Sequence, residues 1–124
     1  MTSSETPAPR VTIVIPVYNE EAILQAAVID LLDRLREFDW SFELVIAENG
    51  SRDATVEIAE KLAARFDRVR TFSFGQPNYG GALKRGILEA RGDIVICDEI
   101  DLCDPDFYRR AIAELERGAE LVVG

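Results

Sequence analysis

The sequence contains no histidine. That absence removes a Ser-His-Asp or Cys-His nucleophile, a histidine general base and any metal site built on imidazole, so proton transfer or metal binding must rest on carboxylates or cysteine. Cysteine is scarce too: Cys97 and Cys103 form neither a CxxC pair nor a disulfide framework. No apolar run approaches the ~20 residues that span a bilayer. Positive charge is short, with 14 Lys+Arg against 23 Asp+Glu and a net charge of -9. Nucleic acid and anionic membrane surfaces both require a basic field, so neither is expected as the main partner. Phosphate ligands stay open, because a divalent cation can sit between an acidic protein and a diphosphate.

What is present describes one soluble domain. The 124 residues are 48% hydrophobic and 30% charged, a chain able to bury about two-thirds of its unfolded surface. Residues 1–10 read as a disordered Ser/Thr/Pro-rich leader without a secretory signal, and residues 11–124 as the domain. The expected compartment is the cytoplasm.

Val11–Val17 is a nearly unbroken β-branched run, the pattern of a strand buried on both faces of a parallel sheet, with Pro16 expected to end its hydrogen-bonded part. Asn19 is the expected N-cap of a helix whose apolar face carries Ile23, Leu24, Ala27, Val28, Leu31, Leu32 and Leu35. Residues 42–47 form a second buried strand, followed by a turn at 48–51 and a helix capped by Ser51 or Asp53. Residues 69–74 read as a more polar strand near an edge, 75–81 as a loop, and 81–90 as a helix ended by Gly92. Residues 93–97 form another buried strand, with Cys97 in the core. Asp104, Pro105 and Asp106 start a helix reaching about residue 117, and 121–123 begin one more strand. Strands alternating with helices imply right-handed crossovers and a mostly parallel sheet covered on both faces. Ligands bind such sheets beyond the carboxyl ends of the strands, which singles out residues 16–20, 48–53 and 98–104.

Asp98, Glu99, Asp101 and Asp104 crowd into seven residues after a buried strand. Like charges at that density repel unless a cation is present, and hard oxygen ligands suit Mg2+ or Mn2+ bound by one or two carboxylates plus substrate phosphates. For Asp104 the plainer reading, a helix cap, is preferred.

Together with three other segments, this turn makes the sequence resemble the family 2 glycosyltransferases of the GT-A fold, especially their dolichyl-phosphate-mannose-synthase-like group. Residues 11–21 (VTIVIPVYNEE) are similar to the family's opening strand and nucleotide-binding loop. Residues 48–53 (ENGSRD) stand where the family has Asp-Asp-Gly-Ser-x-Asp, residues 78–86 (NYGGALKRG) match its Asn-x-Gly stretch, and Glu99-Ile100-Asp101 falls on its Asp-x-Asp metal motif. Any one match is weak; four in order are strong.

The resemblance implies a Rossmann-like three-layer α/β sandwich that binds a GDP- or UDP-linked sugar, with Mg2+ or Mn2+ held by Asp101 and Glu99 or Asp98. It implies inverting transfer to a lipid-phosphate or saccharide acceptor. Pro16 and Tyr18 would shape the nucleotide pocket, Tyr18 by stacking on the base, although Pro16 as a strand end and Tyr18 as a surface residue need no ligand. Glu20 either accepts from the nucleotide or complements a helix dipole. Glu48 and Asn49 would contact base or ribose, and Asn49 in place of Asp adds a donor and removes a charge, which opens the choice between guanine and uracil. Gly80 and Lys84 would face phosphate at a helix start.

The family's acceptor site and general base belong to the later half of its domain, so the chain is expected to be a truncated, donor-binding part. It would lie in the cytoplasm or at the inner face of the membrane, with a second copy or a membrane-associated partner. The alternative is a non-catalytic nucleotide-sugar-binding module. A sugar-phosphate nucleotidyltransferase fits less well, since its Gly-rich loop after the first strand is replaced by Val17-Tyr18-Asn19-Glu20.

Overall fold

A computed structural model describes residues 9–38, 41–100 and 105–116. Asp101, Cys103, Asp104 and the strand expected at 121–123 lie outside the described residues.

Four strands form one parallel sheet in the order β3-β2-β1-β4. β1 (Val11–Val17) and β2 (Phe42–Glu48) occupy its centre, and all 14 of their residues are buried. They pair in register from Val11 opposite Phe42 to Val17 opposite Glu48. β3 (Val69–Ser73) lies along β2, and β4 (Ile94–Cys97) lies along β1. The edge position of β3 explains its mixed composition, since only Val69 and Phe72 are buried.

Pro16 does not end β1. Val14 accepts from the Asp98 amide and Val17 from the Asn49 amide, so alternate residues of β1 face β4 and β2. Pro16 therefore faces β4, where pairing has already stopped at Val14 opposite Cys97. Its missing N–H removes no ladder bond.

The helices are α1 (Leu24–Leu35), α2 (Thr55–Arg65), α3 (Tyr79–Glu89) and α4 (Pro105–Glu116). α1, α2 and α4 cover one face, packing on Val11, Ile13, Ile15, Leu44 and Ile46. α1 contributes Leu24, Val28, Leu31 and Leu35, each worth ~1.5–3 kcal/mol on full burial. Among the described residues α3 is the helix on the other face, setting Ala82 against Val14, Val45, Ala47 and Phe72. It sits close because Gly86 has no side chain: a Cβ there would lie 2.5 Å from Val14 Cγ1. α3 packs on β1 and β2, and β4, at the sheet edge, buries only Ile96 instead of forming the buried strand expected, so that Cys97 is exposed rather than in the core.

Polar groups tie the amino-terminal ends of the strands together. Glu43, 5% exposed, accepts from Thr12 Oγ1 at 2.7 Å, Arg70 Nε at 2.8 Å and the Arg91 amide at 2.9 Å. Arg70 also donates to the Glu89 carbonyl. Burial alone would raise the Glu43 pKa, but the hydrogen bonds from Arg70, Thr12 and Arg91, with the Arg70 charge, hold it below its ordinary value. No helix among the described residues is long and apolar enough to cross a membrane.

Candidate functional site

At the opposite, carboxyl end of the sheet, the loops after β1 and β2 are bonded to each other. Asn19, expected to cap α1, instead takes the left-handed conformation with φ 51, a region in which Asn is several-fold enriched among residues other than glycine. Its amide donates to Ser51 Oγ at 2.8 Å, and its Oδ1 accepts from the Arg52 amide at 2.9 Å. The Glu20 amide donates to Thr55 Oγ1 at 2.8 Å, and Glu21 Oε2 accepts from the Ala54 amide at 3.1 Å. α1 accordingly starts later, at Leu24. Asp53 Oδ1 accepts from the Thr55 amide at 2.9 Å, just ahead of α2, whose N-cap position is Ala54 and carries no side-chain cap, rather than Ser51 or Asp53 as expected.

Glu48 is the anchor beneath this junction. At 1% exposure it accepts from the Ser51 amide and from Ser73 Oγ at 2.7 Å. Burial works against its charge, yet the hydroxyls of Ser51 and Ser73 and the Ser51 and Gly50 amides lower its pKa below the ordinary value. The carboxylate therefore holds the turn from below and does not line the cleft above it. The turn also needs Gly50: its φ is +79, and a Cβ would lie 2.5 Å from the Gln76 backbone.

Asn49 joins the turn to α3. Its Oδ1 accepts from the Asn78 amide at 2.5 Å, and Asn78 in turn caps α3, accepting from the Gly81 amide at 3.0 Å. α3 thus begins two residues before the helix expected from the sequence and makes Tyr79 its first residue.

These elements enclose a cleft of about 190 Å3 at the carboxyl ends of β1, β2 and β4. Of the residues singled out in the sequence, Pro16, Tyr18, Glu20, Asn49 and Glu99 line it, joined by Val17, Ile100 and Tyr79. Gly80 and Lys84 are exposed on α3 and Asp98 is half-buried; none of the three lines the cleft. Asp98 accepts from the Glu99 amide at 2.8 Å. Asp101 lies outside the described residues.

Tyr79 is the residue that sequence reasoning passed over. By its Gly, Pro and Asn content the sequence places it in a loop, and the one signal there is a large aromatic among small and polar residues. The structure leaves it 52% exposed, and partial burial, with the negative charges of Glu99 and Cys97, pushes its hydroxyl pKa up.

Among the described residues no three Asp, Glu, Cys or His side chains converge as a metal cage. A hard cation held by one or two carboxylates and completed by phosphate oxygens needs no such cage, and the Asp98–Glu99 donor set at the end of β4 fits that chemistry.

A sequence profile described as "Glycosyl transferase family 2" matches residues 12–124. The chain belongs to this family. Glycosyltransferase AglD of Haloferax volcanii is 35% identical over 113 residues, which are 89% of this chain and 18% of that protein. Undecaprenyl-phosphate 4-deoxy-4-formamido-L-arabinose transferase of Pseudomonas fluorescens is 34% identical over 115 residues, 90% of this chain and 34% of the relative. This family 2 chain thus spans about a third or less of these curated relatives. Its fold is similar to part of glucosyl-3-phosphoglycerate synthase from Mycobacterium tuberculosis. The complex of that enzyme with Mn2+ and UDP-glucose superposes with a TM-score of 0.66 at 30% identity, covering 89% of this chain and 40% of the other. The complex with Mn2+, UDP and glucosyl-3-phosphoglycerate gives 0.65, with 86% and 39% covered. The mostly parallel α/β sheet is therefore a GT-A sheet, as expected.

Proposed function

We propose that this family 2 region binds the nucleotide-diphosphate sugar of a glycosyltransferase, and that the protein transfers the sugar, with inversion, to a lipid-phosphate or saccharide acceptor. The observation that carries the reading is the cleft itself: Pro16, Tyr18, Glu20, Asn49 and Glu99, from the carboxyl ends of three strands and the loops that follow them, share one small opening. The UDP-glucose and Mn2+ in the mycobacterial complex support a nucleotide-sugar donor and a divalent metal. The undecaprenyl-phosphate transferase supports a lipid-phosphate acceptor.

Under this proposal Tyr18 stacks on the base and Asn49 reads its edge. Because Asn49 Oδ1 is taken by the Asn78 amide, the group left for the ligand is the Nδ2 donor. Glu48 positions Asn49 without touching the ligand, Glu20 reaches the nucleotide, and Gly80 and Lys84 face the phosphates. Asp101 with Glu99 or Asp98 would hold Mg2+ or Mn2+, which supplies Lewis acidity to the departing diphosphate. An acceptor that is already a phosphate anion needs no general base; a saccharide hydroxyl needs a carboxylate.

The test is titration with UDP- and GDP-sugars, with and without Mn2+, followed by thermal shift or calorimetry. Metal-dependent stabilisation by at least one donor is expected, and its absence for all of them would sink the donor site. Asp101→Ala is expected to abolish both that stabilisation and any turnover. A second reading, a binding module without turnover, draws on the size of the cleft, which is below the ~300–1,000 Å3 of complete small-molecule sites. Metal-dependent binding with no transfer to any lipid-phosphate or sugar acceptor would decide for it.

A further inference from the structure

We propose that Tyr79 is the second aromatic wall of the cleft and holds the planar heterocycle of the nucleotide on the side opposite Tyr18. The inference deepens the donor-site reading and rests on it. Tyr18 follows β1 on the way to α1, which lies on one face of the sheet, whereas Tyr79 opens α3 on the other face. Both residues line the one cleft, reached from elements that lead to opposite faces of the sheet.

Both rings are left open, at 41% and 52% exposure, while Tyr108 is fully buried, Phe42 is 4% exposed and Phe72 is 9% exposed. The exposure of Tyr79 is not looseness of its backbone. The preceding residue is held by Asn49 through its amide, and its side chain accepts from the Gly81 amide. Besides the two rings the lining combines apolar Pro16, Val17 and Ile100 with the Asn49 amide and the carboxylates of Glu20 and Glu99. Aromatic and apolar surfaces with a few placed polar groups suit a flat ring carrying hydrogen-bonding atoms on its edge; a sugar presents hydroxyls all round. The hydroxyl of Tyr79 stays protonated at neutral pH, so the wall adds no charge beside Glu99.

The experiment is calorimetric titration of the full chain with UDP, GDP and inorganic pyrophosphate in Mn2+, for the wild type and for Tyr79→Phe, Tyr79→Leu and Tyr79→Ala. Stacking on one ring predicts about tenfold weaker binding of UDP and GDP in the Leu and Ala variants, with pyrophosphate unchanged and Tyr79→Phe equal to the wild type. Three results would overturn the inference alone: Leu and Ala variants that bind nucleotide as the wild type does, equal weakening of pyrophosphate, or a loss in Tyr79→Phe as large as in Tyr79→Ala. A wild type that binds neither nucleotide would overturn the donor-site reading along with it.

Discussion

Gly50 and Asn49 show how closely the site depends on single residues. A β-carbon at Gly50 would collide with the backbone at Gln76 and Pro77, and the residue already holds a positive φ. Gly50→Ala is expected to destabilise by about 1–3 kcal/mol and to displace Asn49 from its bond to Asn78. Thermal melts in the presence and absence of UDP with Mn2+ would show both effects, a lower Tm and a smaller ligand-induced rise. Glu48 illustrates the opposite relation between sequence and site. Its family position suggests contact with base or ribose, and the fold buries it with Ser51 and Ser73 on its oxygens. No one-dimensional pattern shows that burial, because the partners come from a turn and from β3.

At the scale of elements, the union between α3 and the sheet is the most exacting contact. Gly86 sits against Val14, and a Cβ has no room without moving the helix or the β1 side chain. Gly86→Ala is expected to cost about 1–3 kcal/mol through overpacking, despite the higher helix propensity of Ala. Urea denaturation would measure it, with an unchanged m-value as the sign that the fold is kept. The strands were legible in the sequence because a β-branched run such as Val11–Val17 has few other uses, and the edge position of β3 showed in its polarity. Helix starts were less so. Asn19 has the residue type of an N-cap, yet it bonds Ser51 and Arg52, partners more than 30 positions away that local propensity does not register.

For the whole molecule, the two buried carboxylates make stability depend on acid. Glu43 and Glu48 both have folded pKa values below their ordinary ones. Their contribution is complete above the unfolded carboxylate value of ~4.3 and is lost as pH falls through the lower folded values. Tm should therefore be nearly flat from pH 7 to about 5.5 and drop steeply below about 4.5. That drop should appear even though relief of the -9 charge near the pI of 4.5 acts the other way. Glu43→Gln is expected to cost roughly 3 kcal/mol at pH 7, since Arg70, 27% exposed, loses its charge partner. It should also flatten the acid limb, and a pH series of melts checks both.

The sequence by itself determined the class of the sheet, its two buried central strands, the exclusion of histidine chemistry and the family, because these rest on composition, periodicity and short motifs read along the chain. Only the tertiary structure decided which of those residues meet. It brought Pro16, Tyr18, Glu20, Asn49 and Glu99 to one cleft, withdrew Glu48 beneath it, left Gly80, Lys84 and Asp98 off its lining, and added Tyr79 from the far face. The reason is geometric. Parallel strands deliver their carboxyl ends to one side of the sheet, but which loop side chains reach across that side is set by helix starts and long-range hydrogen bonds, and these exist only once the strands have paired.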